Sequence, residues 1–212
     1  MMPRSFLEGM ACYCMKDKTL YISTDPQLFN EQKQRITLME VYNRTSIMET
    51  KKRQDLLHQM FAEVGEDCEI EAPFYANWAG KYVHLGNHVY ANFNLTLVDD
   101  TDIYIGDDTM LGPNCTLTVA NHPMDPALRQ KGYQYNKPIF IGKNCWLGAN
   151  VTVLPGVHIG DGTVIGANSL VTHDIPDHVV AYGSPCKVIR PIDEHDHLYY
   201  DHDQPIDPSL YK

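Results

Sequence analysis

The sequence predicts a mainly β protein, a solenoid of triangular parallel coils, on three observations. From Pro138 to Val171 (PIFIGKNCWLGANVTVLPGVHIGDGTVIGANSLV) every sixth residue is aliphatic: Ile141, Leu147, Val153, Ile159, Ile165 and Val171. Glycine follows four of them, as Gly142, Gly148, Gly160 and Gly166. Small or β-branched residues stand four positions after an aliphatic, at Cys145, Val151, Val157, Thr163 and Ser169. A period of six fits neither a helix nor plain strand alternation, which needs no glycine at a fixed phase. One inward aliphatic and one turn residue per unit describe a short strand plus a corner. Three units close a triangular coil, and stacked coils share one apolar core.

In chain order, residues 1–65 read as a helical segment. Ser23-Thr24-Asp25-Pro26 is a helix start, with Asp25 as cap and Pro26 in the first turn, and the helix runs to about Asn43. Ser46-Ile47-Met48-Glu49 carries a capping-box pattern. Leu56, Leu57, Met60, Phe61 and Val64 then fall on one helical face. So short a segment buries little by itself and is expected to cover the solenoid. Residues 66–191 form the solenoid domain. Leu85, Ala91 and Leu97 keep the period, the phase slips by two at Asp99-Asp100-Thr101-Asp102, and Ile105, Leu111 and Leu117 resume it. The repeat then stops, and a loop at about 118–138 (with ANHPMDPALRQKGYQYNK inside it) intervenes before the repeat restarts. Long loops thrown out from a solenoid are usually functional. Residues 192–212, acidic and His-rich without periodicity, read as a surface tail.

Composition bounds the partners. A formal charge of −10 opposes binding to nucleic acid or an anionic membrane. No stretch has the length of a membrane span, and Met1–Leu20 lacks the apolar core of a secretory signal. The six cysteines (12, 14, 68, 115, 145, 186) show no zinc-type pairing, and Cys115 and Cys145 stand at inward repeat positions, so a reducing, cytoplasmic setting is expected. N-x-T triplets at Asn43, Asn94, Asn114 and Asn150 read as Asn and Thr at strand corners rather than glycan sites.

The repeats, together with YANFNLTLVDD (90–100), NHPMDPALRQKGYQYNKPI (121–139), NCWLGANVTVLPGVHIGDG (144–162) and GSPCKVIRPI (183–192), resemble the hexapeptide acyltransferases, specifically the galactoside and maltose O-acetyltransferases, with the galactoside side nearer. The resemblance implies a left-handed parallel β-helix, a homotrimer, and transfer of acetyl from acetyl-CoA to a sugar hydroxyl. His122 matches the family's catalytic histidine; a neutral imidazole can take the proton of a hydroxyl attacking a thioester. Asn92 matches an Asn near the reacting centre, suited to a developing oxyanion. Asn77, Tyr90, Asp100 and Gln134 match acceptor-binding positions, while Ser23 and Gln32 stand where the family has an acceptor-binding Asp and a nearby Arg. The segment Ala76–Gly80 is one residue longer than usual. For acetyl-CoA the matching positions are Trp146, Ala149, Ala167, Thr172 and His173 (a Lys in the family), with Lys187 and Arg190 for the nucleotide phosphates. No Ser or Cys beside His122 forms a nucleophile motif, so direct transfer in a ternary complex is expected, without a metal. Two alternatives are a metal enzyme like the gamma-class carbonic anhydrases, using His84, His88 and His122, and a non-catalytic solenoid subunit. The first lacks that class's paired His spacing. The second predicts loss of the loop His and the basic pair, and both are present.

Overall fold

The computed structural model describes residues 19–23 and 26–211. The six-residue period becomes a three-sided parallel solenoid whose faces are sheets of five, seven and five strands. The first face holds Glu63–Val64, Val83–Leu85, Ile103–Ile105, Ile139–Ile141 and His158–Ile159. The second holds Glu69–Ile70, Tyr90–Ala91, Met110–Leu111, Trp146–Leu147, Val164–Ile165 and a closing antiparallel hairpin, Val179–Gly183 with Cys186–Pro191. The third holds Tyr75–Ala76, Thr96–Val98, Thr116–Thr118, Thr152–Val153 and Leu170–Val171. The periodic aliphatics lie in register, for example Ala91, Leu111, Leu147, Ile165 and Ala181, and all are buried in one continuous core.

The corners explain the polar repeats. Asn94, Asn114, Asn150 and Asn168 have φ of 62°, 61°, 59° and 60°, the left-handed conformation Asn tolerates better than most side chains. Asn94 Nδ2 donates to Asn114 Oδ1 at 3.0 Å, and Asn150 Nδ2 to Asn168 Oδ1 at 3.2 Å, so consecutive corners are tied. Three insertions (residues 77–82, 99–102 and 119–138) all leave the end of a third-face strand and return to the first face. They therefore stack on one corner of successive coils.

Two helices, α1 (Pro26–Asn43) and α2 (Thr50–Met60), cover the open end of the solenoid. The first coil has no coil before it, so its outward carbonyls need other donors. Ile70 O accepts from Tyr42 Oη at 2.5 Å and Arg53 Nη2 at 2.7 Å, Phe74 O from Asn43 Nδ2 at 2.8 Å, and Cys68 O from Gln54 Nε2 at 2.7 Å. The Asp25 cap expected for α1 lies outside the described residues, as do Cys12 and Cys14.

Several boundaries depart from expectation. Ser46 N donates to Glu49 Oε2 at 2.8 Å, yet α2 begins only at Thr50, so this half of the capping box closes a turn before the helix. Phe61 and Val64 are not helical. Ala62 N and Gly65 N instead bond to Val83 O and Leu85 O at 3.0 Å each, and the sheet ladder captures the chain. The loop is structured, containing Ala120–Asn121, α3 (Pro126–Gln130) and Tyr133–Asn136. The tail is not featureless: α4 (Glu194–Leu198) has an Asp193–Asp196 capping box, followed by a small hairpin and a 3₁₀ turn. Cys68, Cys115, Cys145 and Cys186 are buried free thiols, and burial pushes Cys115 up to about 11. Among the described residues no helix is long and apolar enough to cross a membrane.

Candidate active site

Tyr21–Ile22, Tyr133–Asn136 and Ala120–Asn121 form a three-stranded antiparallel ribbon that carries the loop. Asp125 caps α3 through Ala127 N (2.8 Å), and Pro126 occupies its first turn. Arg129 Nη1 donates to the carbonyls of Pro123 (2.9 Å) and Met124 (2.6 Å), pinning the arch that follows His122. His122 is exposed, and its Nδ1 lies 3.1 Å from Tyr133 O. A carbonyl only accepts, so Nδ1 carries the hydrogen, and the neutral ring keeps its lone pair on Nε2.

Next to this ribbon lies a cleft of about 530 Å³. Ser23, Asn77, Asp100 and Gln134 line it, four of the expected acceptor residues; Tyr90, the fifth, stands outside it on the second face. Its remaining lining is Tyr21, Pro26, Leu28, Phe29, Gln32 and Trp78. Asp100 is buried, accepting from Asn77 Nδ2 at 3.0 Å and Trp78 Nε1 at 3.3 Å. Its neighbour Asp99 faces the other way: Oδ1 accepts from Trp78 N and Oδ2 from Gly80 N, both at 2.8 Å. Burial outweighs those two bonds and pushes the Asp99 carboxyl up to about 7. Tyr21 Oη accepts from Gln134 Nε2 (2.6 Å) and Asn136 Nδ2 (3.1 Å), and Asn136 Nδ2 also reaches Asp100 O at 3.0 Å. Burial first, then the Asp100 charge, raises the Tyr21 hydroxyl well above its ordinary value. One polar network thus joins the loop, the first strand and the cleft. The residue before Gln134 supplies the carbonyl that holds His122.

The expected cofactor residues lie elsewhere, most of them along the second face and its corner. Tyr90, Met110, Trp146, Val164 and Val180 are in register on the outside of the second face, ending opposite Arg190. Trp146 is 54% exposed. Asn92, Ala149 and Ala167 lie just past the strands of that face, at the corner leading to the third. A Cβ at Gly148 would stand 2.7 Å from Ala167 N, so the corner coils pack backbone to backbone and only glycine fits. Asn92 Oδ1 accepts from Phe93 N at 2.8 Å, which leaves its amide NH₂ as the donating end. Lys187 and Arg190 are exposed on the closing hairpin; Arg190 forms a bidentate pair with Asp196 (2.5 and 2.7 Å) that holds the Asp196 carboxyl down at about 2. Thr172 and His173 follow Leu170–Val171 on the third face, bonded to each other at 2.8 Å.

His84 lies between Glu63 (3.0 Å) and Asp102 (3.2 Å), His88 pairs with Asp108 at 3.1 Å, and His122 faces Tyr133 O. Among the described residues no three His, Cys, Asp or Glu side chains gather as a metal cage. Sequence reasoning missed Tyr21, Leu28, Phe29 and Trp78. The one signal for Trp78 was its place within the lengthened Ala76–Gly80 segment.

Two family models match: the bacterial transferase hexapeptide (six repeats) over residues 138–173, and the maltose acetyltransferase hexapeptide capping motif over residues 15–65. A galactoside O-acetyltransferase of Lactococcus lactis is 54% identical over 188 residues, covering 89% of this chain and 91% of that one. A galactoside O-acetyltransferase of Escherichia coli is 48% identical over 174 residues, covering 82% and 85%. Among solved structures, a galactoside acetyltransferase in complex with coenzyme A superposes with a TM-score of 0.86 at 42% identity, covering 98% of this chain and all of that one. A maltose O-acetyltransferase from Clostridium difficile gives 0.84 at 38%, covering 86% and 97%.

Proposed function

The chain belongs to the hexapeptide-repeat O-acetyltransferases, the family of the galactoside and maltose enzymes, and we propose that it transfers acetyl from acetyl-CoA to a hydroxyl of a galactoside or related sugar. The observation that carries the mechanism is the bond from His122 Nδ1–H to Tyr133 O, which leaves Nε2 as a base. Nε2 takes the acceptor's proton as its oxygen attacks the thioester carbonyl, and the amide NH₂ of Asn92 donates to the oxyanion that develops. The proton then passes to the departing thiolate of coenzyme A. Asp100, Asn77 and Gln134 hold sugar hydroxyls, with Ser23 at the rim; Tyr90, on the second face, reaches an acceptor only from a neighbouring protomer. Acetyl-CoA lies along the Trp146–Ala149–Ala167 strip, its phosphates toward Lys187 and Arg190, in a groove between neighbouring protomers of a homotrimer of left-handed β-helices.

Both substrates are present before chemistry, so initial rates at varied concentrations of each should give intersecting rather than parallel reciprocal plots. The deciding experiment measures acetyl-CoA consumption over a panel of galactosides, glucosides and maltose beside His122→Ala. Loss of about 10²–10⁴-fold in the variant is expected for removal of a general base. Because the ring is exposed, melting should hardly change. Near wild-type turnover in a folded His122→Ala would end this reading.

A further inference from the structure

Asp100 needs a fixed carboxylate if it is to sort acceptors, and the structure supplies the fixing group from an unassigned residue. We propose that Trp78 is a positioning residue for the acceptor: its indole N–H, with the Asn77 amide, locks Asp100 so that the cleft takes neutral, hydroxyl-donating acceptors. The inference rests on the acetyl-transfer reading above and deepens it.

The lengthened Ala76–Gly80 segment leaves the third face and turns through Ala79 (φ 52°) and Gly80 (φ 86°). At Trp78 both backbone groups are held: N donates to Asp99 at 2.8 Å, and O accepts from Arg35 Nε at 2.9 Å. Its ring is 3% exposed and packs edge-on against Tyr82, centroids 6.2 Å apart. The indole N–H therefore has one fixed direction, toward Asp100 Oδ1 at 3.3 Å, while Asn77 Nδ2 meets Oδ2 at 3.0 Å. With one protein donor on each oxygen the carboxylate cannot turn without breaking both bonds. Each oxygen retains acceptor capacity for a ligand hydroxyl. Asp100 is the sole charged side chain among the described residues lining the cleft. A hydroxyl donor is welcome there, whereas a carboxylate or phosphate on the acceptor meets an uncompensated negative charge.

Trp78→Phe keeps the ring and removes only the donor. The acceptor KM should rise about tenfold, the cost of a hydrogen bond to a charged group. The acetyl-CoA KM should stay within about twofold, which a general structural defect would not spare. In Asp100→Ala, which leaves the indole no acceptor, the same substitution should add less than about twofold, since both variants break one interaction. The chain has two tryptophans, so the indole N–H resonance that survives in Trp146→Phe belongs to Trp78; it should shift upfield when Asp100→Ala is added. That spectrum judges the bond even should Trp78→Phe fail to fold. An unmoved resonance, an unchanged acceptor KM in folded Trp78→Phe, both KM values rising together, or multiplying effects in the double variant would each overturn the proposal. Inactivity of the wild type on every sugar would instead remove the acetyl-transfer reading and this inference with it.

Discussion

Asp99→Asn separates two opposing effects of burying an acid under the cleft. Asp99 accepts one backbone N–H on each carboxylate oxygen, from Trp78 and from Gly80. An amide offers one oxygen, so one N–H loses its acceptor and faces an NH₂ group, costing about 1–3 kcal/mol. Against this stands the carboxyl's own titration. Burial raises it from 3.8 to about 7 in the folded protein. Between those values the folded chain keeps a proton that the unfolded chain has released. Stability therefore falls as pH rises: the contribution is fully present below the unfolded value and gone once pH passes the folded one. At 1.36 kcal/mol per pKa unit the interval is worth about 4 kcal/mol. Asn has no such titration. The variant should thus be the less stable protein near pH 4 by about 1–3 kcal/mol, and the more stable near pH 8 by a similar margin. Denaturant unfolding of both proteins across pH 4–9, at one fixed protein concentration, reads the difference, and subtraction cancels the other carboxylates. A gap of constant size would refute the reasoning, because it would mean that the two N–H bonds keep Asp99 ionised throughout.

Other perturbations give simpler outcomes. Arg190→Glu should raise the KM for acetyl-CoA more than that for the sugar, and Asp196→Asn, by releasing Arg190 from its bidentate partner, should lower it; steady-state kinetics at varied acetyl-CoA check both. Gly148→Ala puts a Cβ within 2.7 Å of Ala167 N, a contact with rigid backbone, and should cost about 1–3 kcal/mol in unfolding free energy. Arg53→Ala removes a buried donor to Ile70 O and a cation 4.9 Å from the Tyr42 ring. It should destabilise the helical cap by about 2–4 kcal/mol, visible in thermal melting.

The solenoid was legible because its core needs one inward aliphatic at a fixed phase on every face, and no distant partner can alter that requirement. The same logic made Cys115 and Cys145 readable as core thiols. Helix ends were less legible where a ladder competed for the chain. Phe61 and Val64 fit the helical face of α2, but carbonyls of the second coil take the N–H groups of Ala62 and Gly65, and the hydrogen-bond ladder wins over periodicity. In the tail, the Asp193–Asp196 box and the Arg190–Asp196 pair order a segment with no hydrophobic period to announce it.

The cleft is a harder case, because its residues come from four separated segments, and single positions such as Trp78 or Phe29 carry no pattern. Yet the solenoid offers a rule that locates it. Val64, Leu85, Ile105 and Ile141 are in-register neighbours on the first face, separated by 21, 20 and 36 residues, whereas Ile141 and Ile159 are 18 apart. Every coil before Ile141 thus carries extra residues, and each surplus falls between a third-face strand and the next first-face strand. Strands of adjacent coils are about 4.8 Å apart, so three insertions on one corner must touch. Asn77 and Trp78, then Asp99 and Asp100, then His122 and Gln134 are brought together by phase slips alone. A repeat protein declares its site by where its period fails, and here it fails three times running at one edge.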